Sequence, residues 1–481
     1  MSGSRRFSRS FSQIQVDDRQ ALFQVQEKRP DRTTSTSTHI LPVVAALRSF
    51  TRHEAHIIAI CSVAVLIANI AVGTMPLLIP IEIMRKGYLY SWIGILFLVY
   101  GVIVFLCELL HSKIVPAIGT KRTFIISCVV LGICDISFGL LRFTTNGNVF
   151  GGVGCLIRVV EGFCYAGLMN SAFTILCLTI PDKAILGIGL IDGLIGLGYA
   201  LGPLIAGALY SVADFTLPFA LMGILIILVA IWAYFGLPHV SGELALPGFG
   251  DVKMLYTDLA FIASVVITLA MGIVVGFLEA TLEVYLNQFH KGVVAEGTIF
   301  FIGWTAAAVS SPLWGVILAR YRVNRTLLLL GPVVEAIIFI FFGSFPGMRH
   351  LMVHLGLSVL CLILLTVGTA MSLMAAVDMM IRRASHYGLA NDIVTYAFIS
   401  AIWLATLYLG EGLGGIVSGT VLDFYSYDAV TVSLIIIEVI LGVVAAAILY
   451  VDYRRTGLSL PELPSEHSLS GPNKSEYIRL P

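Results

Sequence analysis

Charge is what this 481-residue sequence has least of. Lys, Arg, Asp and Glu together make up 12% of it, where soluble domains carry about 25%. That scarcity excludes a disordered chain and an ordinary soluble enzyme. The 29 basic and 29 acidic residues cancel, so there is no global field to attract a polyanion, and no nucleic-acid partner is expected. No phosphate loop, HExxH, CxxC or nucleophile elbow is present. Glycine clusters such as Gly151-Gly152-x-Gly154 fall in apolar runs, not before a cytosolic helix as a nucleotide-binding loop requires. An enzyme is therefore not expected, nor a cofactor or metal. The eight cysteines, Cys61, Cys107, Cys128, Cys134, Cys155, Cys164, Cys177 and Cys361, lie in or beside apolar stretches without metal-type or paired spacing. They read as small buried apolar residues.

Apolar residues fill the space that charge leaves. They form 58% of the chain, and the mean hydropathy is +0.94. A helix needs about 20 apolar residues to cross a bilayer. Runs of that kind recur twelve times, over 57–79, 91–111, 123–141, 149–172, 184–211, 217–237, 259–287, 295–319, 326–345, 351–381, 394–422 and 429–451. The expected fold is an all-α membrane protein of twelve transmembrane helices in two pseudo-symmetric halves, 56–237 and 259–451, joined by a cytosolic linker over 238–258. Residues 1–55 hold nine of the basic residues and a Ser/Thr tract, Thr33 to Thr38. They read as a disordered cytosolic tail, with no apolar segment of signal-peptide type. Residues 452–481 read as a second cytosolic tail.

Basic residues orient the array. With both termini in the cytosol, the inside loops hold ten Lys/Arg: Lys113, Lys121, Arg122, Lys183, Lys253, Arg320, Arg322, Arg325, Arg382 and Arg383. The outside loops hold five: Arg85, Lys86, Arg142, Lys291 and Arg349. The halves also share a repeat. Gly198, Gly202, Ala206 and Gly207 of the fifth run recur as Gly410, Gly414, Ser418 and Gly419 of the eleventh, always 212 residues on. Small residues four apart let helices approach closely, and repeated halves with a site between them are the plan of many secondary transporters.

Inside the runs stand ten acids and a single base. The acids are Glu108, Asp135, Glu161, Asp192, Glu279, Glu283, Glu335, Asp378, Glu411 and Glu438; the base is Arg158. A charge at the centre of a spanning helix costs about 2.5–3.5 kcal/mol on insertion scales, so such residues mark function. A cavity lined by carboxylates selects a cation. Glu279 and Glu283 are one turn apart and share a face. Asp192 lies on the glycine-rich fifth run, Asp378 stands alone in an apolar stretch, and Glu411 sits between Gly410 and Gly412. These five are the expected substrate-binding acids. Glu108, Asp135, Glu335 and Glu438 read as interface or packing charges. Arg158 and Glu161 are expected to pair, or to couple a proton site to substrate together with Glu279. Tyr165, Tyr199, Tyr285, Trp304 and Trp403 are available for cation–π contact.

Motifs sharpen this picture. Gly189, Gly198, Gly202, Pro203, Ala206 and Gly207 resemble the fifth-span antiporter motif of the major facilitator superfamily, with one alanine for glycine. Arg158-x2-Glu161-Gly162 resembles its fourth-span motif, whose arginine is linked to proton coupling. Ser112 to Arg122 resembles its loop motif between spans two and three, with Ser112 in place of the first glycine and Pro116 in place of the aspartate. The second-half counterpart keeps Gly315 but has Ala319 at the aspartate position. Within the superfamily the chain resembles the vesicular amine transporters, above all their polyamine branch. Gly276-Phe277-Leu278-Glu279 resembles the seventh-span Phe-Leu-acidic element of that group, and Val377-Asp378 resembles the tenth-span Val-Asp of its monoamine members; Asp192, the stretch from Pro80 through Glu82 to Lys86-Gly87, and Ser310 to Gly315 resemble the polyamine branch. Ala68, and Leu404 or its neighbours, stand where monoamine members have aspartates, which argues against a monoamine substrate.

The resemblance implies a proton-coupled antiporter that moves organic cations, amines or polyamines, into acidic vesicles. The implied partners are the cation, protons and the lipid bilayer, and the chain is expected to act as a monomer. Tyr477-Ile478-Arg479-Leu480 resembles a tyrosine-based sorting signal read by adaptor proteins, in keeping with a vesicular or endolysosomal membrane. Two alternatives stay open: a plasma-membrane exporter of drugs or other organic cations, and a non-transporting sensor or scaffold of the same fold.

Overall fold

A computed structural model of the chain describes residues 51–180, 184–238, 253–321, 323–342, 354–387, 389 and 393–456. The N-terminal tail to residue 50, most of the linker, and the C-terminal tail with Tyr477 and Leu480 lie outside the described residues. Twelve helices here are long and apolar enough to cross a membrane. They are α1 (Arg52–Lys86), α2 (Ser91–Ile118), α3 (Thr120–Leu140), α4 (Gly147–Thr179), α5 (Ala184–Ala213), α6 (Thr216–Gly236), α7 (Leu259–Asn287), α8 (Val293–Tyr321), α9 (Asn324–Phe342), α10 (Leu355–His386), α11 (Ile393–Phe424) and α12 (Tyr427–Thr456). Among the described residues there is no strand. A segment in hydrocarbon has to satisfy its own backbone polar groups, and a helix does so within one span.

Several helices outrun the apolar stretches that announce them. The 35 residues of α1 span about 52 Å at 1.5 Å per residue, well beyond a hydrocarbon core of about 30 Å. Its last turn is held by ion pairs. Buried Glu82 pairs with Arg85 at 3.1 Å and with Lys86 at 3.0 Å. Lys86 also donates to the carbonyls of Arg142 and Thr144, each at 2.7 Å. Arg85 and Arg142 both pair with Asp214. The ends of α1, α3 and α5 are thereby tied at one end of the bundle, called here the far end; the near end is where α1 begins. At the near end α2 passes into α3 across one residue, Gly119, whose φ of 96° favours glycine.

A second ionic knot closes the near end of the other half. Arg383 of α10 pairs with Asp452 of α12 at 2.6 Å and with Asp258 at 3.5 Å, and Arg325 of α9 pairs with Asp452 at 2.7 Å. Asp258 caps α7 by accepting from the Phe261 N–H at 2.8 Å and accepts from the Tyr387 hydroxyl at 3.0 Å. Because α10 continues to His386, Arg382 and Arg383 are buried within it. The sequence places both in a loop and leaves Arg158 as the lone base among the spans; the structure adds these two.

The 212-residue repeat is a repeat of packing. Gly198 and Gly202 of α5 lie against α1 at Asn69 and Gly73, and Gly207 lies against Val293 of α8. Gly410 and Gly414 of α11 lie against α7 at Gly272 and Ile273, and Gly419 lies against Tyr90 at the start of α2. Each helix thus packs first on its own half and then crosses to the other. Gly189, expected to belong to the same motif, meets no neighbour within 4 Å of its Cβ position. At the far end Asp423 of α11 accepts from the N–H groups of Tyr90 and Ser91 at 2.6 and 3.0 Å, and Gly297 of α8 abuts the Pro203 carbonyl. The two halves are therefore joined at the far end, and the contacts between them continue to the middle of the bundle at Gly101 and Tyr408.

Candidate functional site

The halves meet at mid-bundle over a polar centre built on Arg158. Its side chain is fully buried. One guanidinium nitrogen donates to Glu161 Oε1 at 2.9 Å, a pairing set by their i,i+3 spacing on α4. The guanidinium lies 4.0 Å from the centre of the Tyr100 ring of α2, a cation–π contact between two buried side chains. Asp135 of α3 is buried and within electrostatic reach of both Arg158 and Glu161. From the other half, Glu279 of α7 and Glu411 of α11 are buried and come within reach of Arg158 and of each other. Glycine makes this approach possible: the Cβ position of Gly276 overlaps the backbone of Glu411. One oxygen each of Glu161 and Glu279 has no hydrogen-bond partner.

Four carboxyl groups thus surround one guanidinium. In a low dielectric one positive charge does not balance four negative ones, so protons or a bound cation must make up the difference. The aromatic lining suits the latter. Tyr100, Tyr165 and Tyr408 form a triangle with ring centres 5.7–6.0 Å apart. Tyr408 donates to the Tyr165 hydroxyl at 2.7 Å, Tyr165 to Asn69 Oδ1 at 2.8 Å, and Asn69 to the Val65 carbonyl at 2.7 Å. This chain runs from α11 through α4 to α1, so one of its links crosses between halves. Tyr199 of α5 and Trp304 of α8 meet edge to face at 6.2 Å. Towards the near end Glu108 of α2 is buried and accepts from Asn170 of α4 at 2.6 Å.

The other expected sites lie elsewhere. Glu283 shares a face with Glu279 but looks to a different neighbour, Glu296 of α8. Asp192 is exposed on α5. Asp378 does not stand alone: Arg382, one turn on, donates to it at 2.7 Å, and its side chain is 27% exposed. Glu108, Asp135, Glu335 and Glu438, read from the sequence as interface or packing charges, are all buried. Sequence reasoning missed Asn69, Tyr100 and Tyr408. Asn69 was visible as a polar residue in an apolar run; nothing local distinguishes the two tyrosines from those that face lipid.

Comparison with known proteins agrees with this architecture. The profile of the Major Facilitator Superfamily matches residues 60–400. The mouse protein named MFS-type transporter SLC18B1 is 27% identical over 344 residues, 70% of this chain and 74% of that protein. The human protein of the same name is 27% identical over 342 residues, with the same coverage of each. Among solved structures, a bacterial homologue of the human lysosomal transporter Spinster, inward-facing and unoccupied, superposes with a TM-score of 0.66 at 13% identity, over 84% of this chain and 98% of that one. The nucleoside transporter NupG gives 0.65 at 13% identity, over 83% and 99%. These relatives and neighbours are transporters, not enzymes, and with twelve spanning helices around a buried charged centre this chain belongs to the major facilitator superfamily, as a multi-pass membrane transporter.

Proposed function

We propose that this transporter is a proton-coupled antiporter that moves organic cations, amines or polyamines, into acidic vesicles. The observation that carries the proposal is the excess of carboxyl groups over guanidinium at the centre. Protons and an amine compete for the same carboxylates, which is the chemical requirement for exchange. Arg158, Glu161, Asp135 and Tyr100 belong to the N-terminal half, while Glu279 and Glu411 belong to the C-terminal half. Glu279 and Glu411 hold the ammonium group, and the tyrosine triangle supplies π faces for its methylenes and charge. Protons arriving from the acidic side neutralise the carboxylates and release the amine. Asp192 and Asp378, nearer the other end of the bundle, are candidate contacts on the way in.

The distribution of basic residues supports a cytosolic near end and cytosolic termini. The joined far end then faces the lumen. Vesicular placement rests on the resemblance to the polyamine branch of the vesicular amine transporters.

The test is uptake of a labelled polyamine by proteoliposomes under an imposed pH gradient. Glu279→Gln keeps the shape and removes the charge, and is expected to abolish gradient-driven uptake. Full uptake by this variant overturns the role of Glu279, and no uptake of any amine by the folded native protein overturns the proposal.

A further inference from the structure

Outside the central site the structure buries a second carboxyl pair, in the C-terminal half alone. Glu335 of α9 and Glu438 of α12 are both fully buried. The helices are antiparallel, and Gly442 of α12 lies against Pro332 of α9, its Cβ position 3.3 Å from the proline ring. Glu438 is one turn from Gly442 and Glu335 one turn from Pro332, both towards the far end. The two carboxyl groups therefore stand at one level, within electrostatic reach.

Among the described residues no basic side chain pairs with either of them. Both oxygens of Glu438 and one of Glu335 lack a hydrogen-bond partner. Among the described residues the basic groups of the surrounding helices are paired elsewhere or exposed at the near end. Arg325 and Arg383 each pair with Asp452, Arg382 pairs with Asp378, and Arg454 and Arg455 are exposed in the last turn of α12, at the near end. On α7, Glu279 faces Glu411 and Arg158, and Glu283 faces Glu296. Two bare carboxylates side by side in hydrocarbon would face both desolvation and mutual repulsion.

The hydroxyl of Thr369 on α10 gives an independent sign. It lies 2.6 Å from Glu335 Oε1 and 3.0 Å from the Leu365 carbonyl. A threonine hydroxyl has one proton to donate. Both contacts are hydrogen bonds at once when Glu335 carries a proton: its O–H donates to Thr369, and Thr369 donates to Leu365.

We propose that Glu335 and Glu438 form a proton-binding site of the C-terminal half, separate from the Arg158 centre and linked to α10 through Thr369. Among the described residues it has no counterpart of Arg158, and its charge balance is met by protons alone.

Infrared difference spectroscopy on the purified full-length protein tests this without any transport measurement. At neutral pH, subtracting the Glu335→Gln spectrum from that of the native protein is expected to leave a carboxylic-acid C=O band that shifts in D2O; the Glu438→Gln difference is expected to do the same. Glutamine mimics the neutral acid, so both variants are expected to fold, and Thr369→Val gives a third probe that should move the Glu335 band without removing it. Carboxylate bands in both glutamate differences, in place of the acid band, overturn the proposal. So does loss of the acid band when sodium replaces choline at constant ionic strength, which would make this a metal-ion site.

Discussion

The link from Tyr408 to Tyr165 is one hydrogen bond, 2.7 Å long, between the two halves. If the halves rock about a central site, this bond is made in the far-end-closed state and broken when the far end opens. A buried hydrogen bond contributes about 0.5–1.5 kcal/mol net. Tyr408→Phe deletes the donor and leaves Tyr165 free to donate to Asn69, so no acceptor is orphaned. The population of the open far end should then rise about 2- to 10-fold. Tyr165→Phe differs: it leaves the carbonyl oxygen of Asn69, fully buried, without its donor, at a cost of about 1–3 kcal/mol. A cysteine placed at Ser91, beside the Asp423 clamp, reports opening through its labelling rate with a hydrophilic maleimide. Tyr408→Phe is expected to speed labelling by the factor above with little change in melting temperature; Tyr165→Phe is expected to lower the melting temperature as well. An unchanged labelling rate in Tyr408→Phe, or equal loss of stability in the two variants, refutes the reasoning.

Two further predictions concern packing and pH. Gly276→Ala places a methyl group in the backbone of Glu411 and should cost about 1–3 kcal/mol as overpacking, read as a lower melting temperature in detergent. Gly193→Ala meets nothing within 4 Å and should stay within about 0.5 kcal/mol of the native protein. Asp214, between α5 and α6, is partly buried, which alone would raise its pKa; the Phe215 N–H and the guanidinium groups of Arg85 and Arg142 outweigh that and hold it below the usual carboxylate value. Its stabilising effect is therefore present above about pH 4 and lost as pH falls through the lowered value. Asp214→Asn should cost no more than about 1 kcal/mol at neutral pH, and its difference from the native protein in thermal unfolding should vanish in acid.

The fold was legible because hydrocarbon imposes it: twelve apolar runs of sufficient length leave no other backbone solution. The repeat of Gly198 and Gly202 in Gly410 and Gly414 also signalled close helix approach on the fifth and eleventh spans, though not that the partners are α1 and α7. Helix ends were less legible. Arg383 looks like a loop residue until Asp258 and Asp452 are brought to it from 125 residues upstream and 69 downstream. The site was half legible. Arg158, Glu161, Glu279 and Glu411 stood out as charges in apolar runs, and the structure gathers them. Asp378 stood out equally and is held by its own helix neighbour, Arg382. Which tyrosines turn inward depends on helix rotation, which all-round apolar helices do not encode in their pattern.

The contact between Gly276 and Glu411 has a mechanical consequence. Backbone pressed on backbone makes α7 and α11 a single lever, so Glu279 and Glu411 travel together, whatever the other half does. Arg158 rides on the opposite arm. Under the proposed exchange, a swing of one arm against the other would change the distance between the positive group and the negative pair, and with it how strongly the pair attracts a proton or an amine. In such a machine the gearing is electrostatic, and its tooth is a glycine.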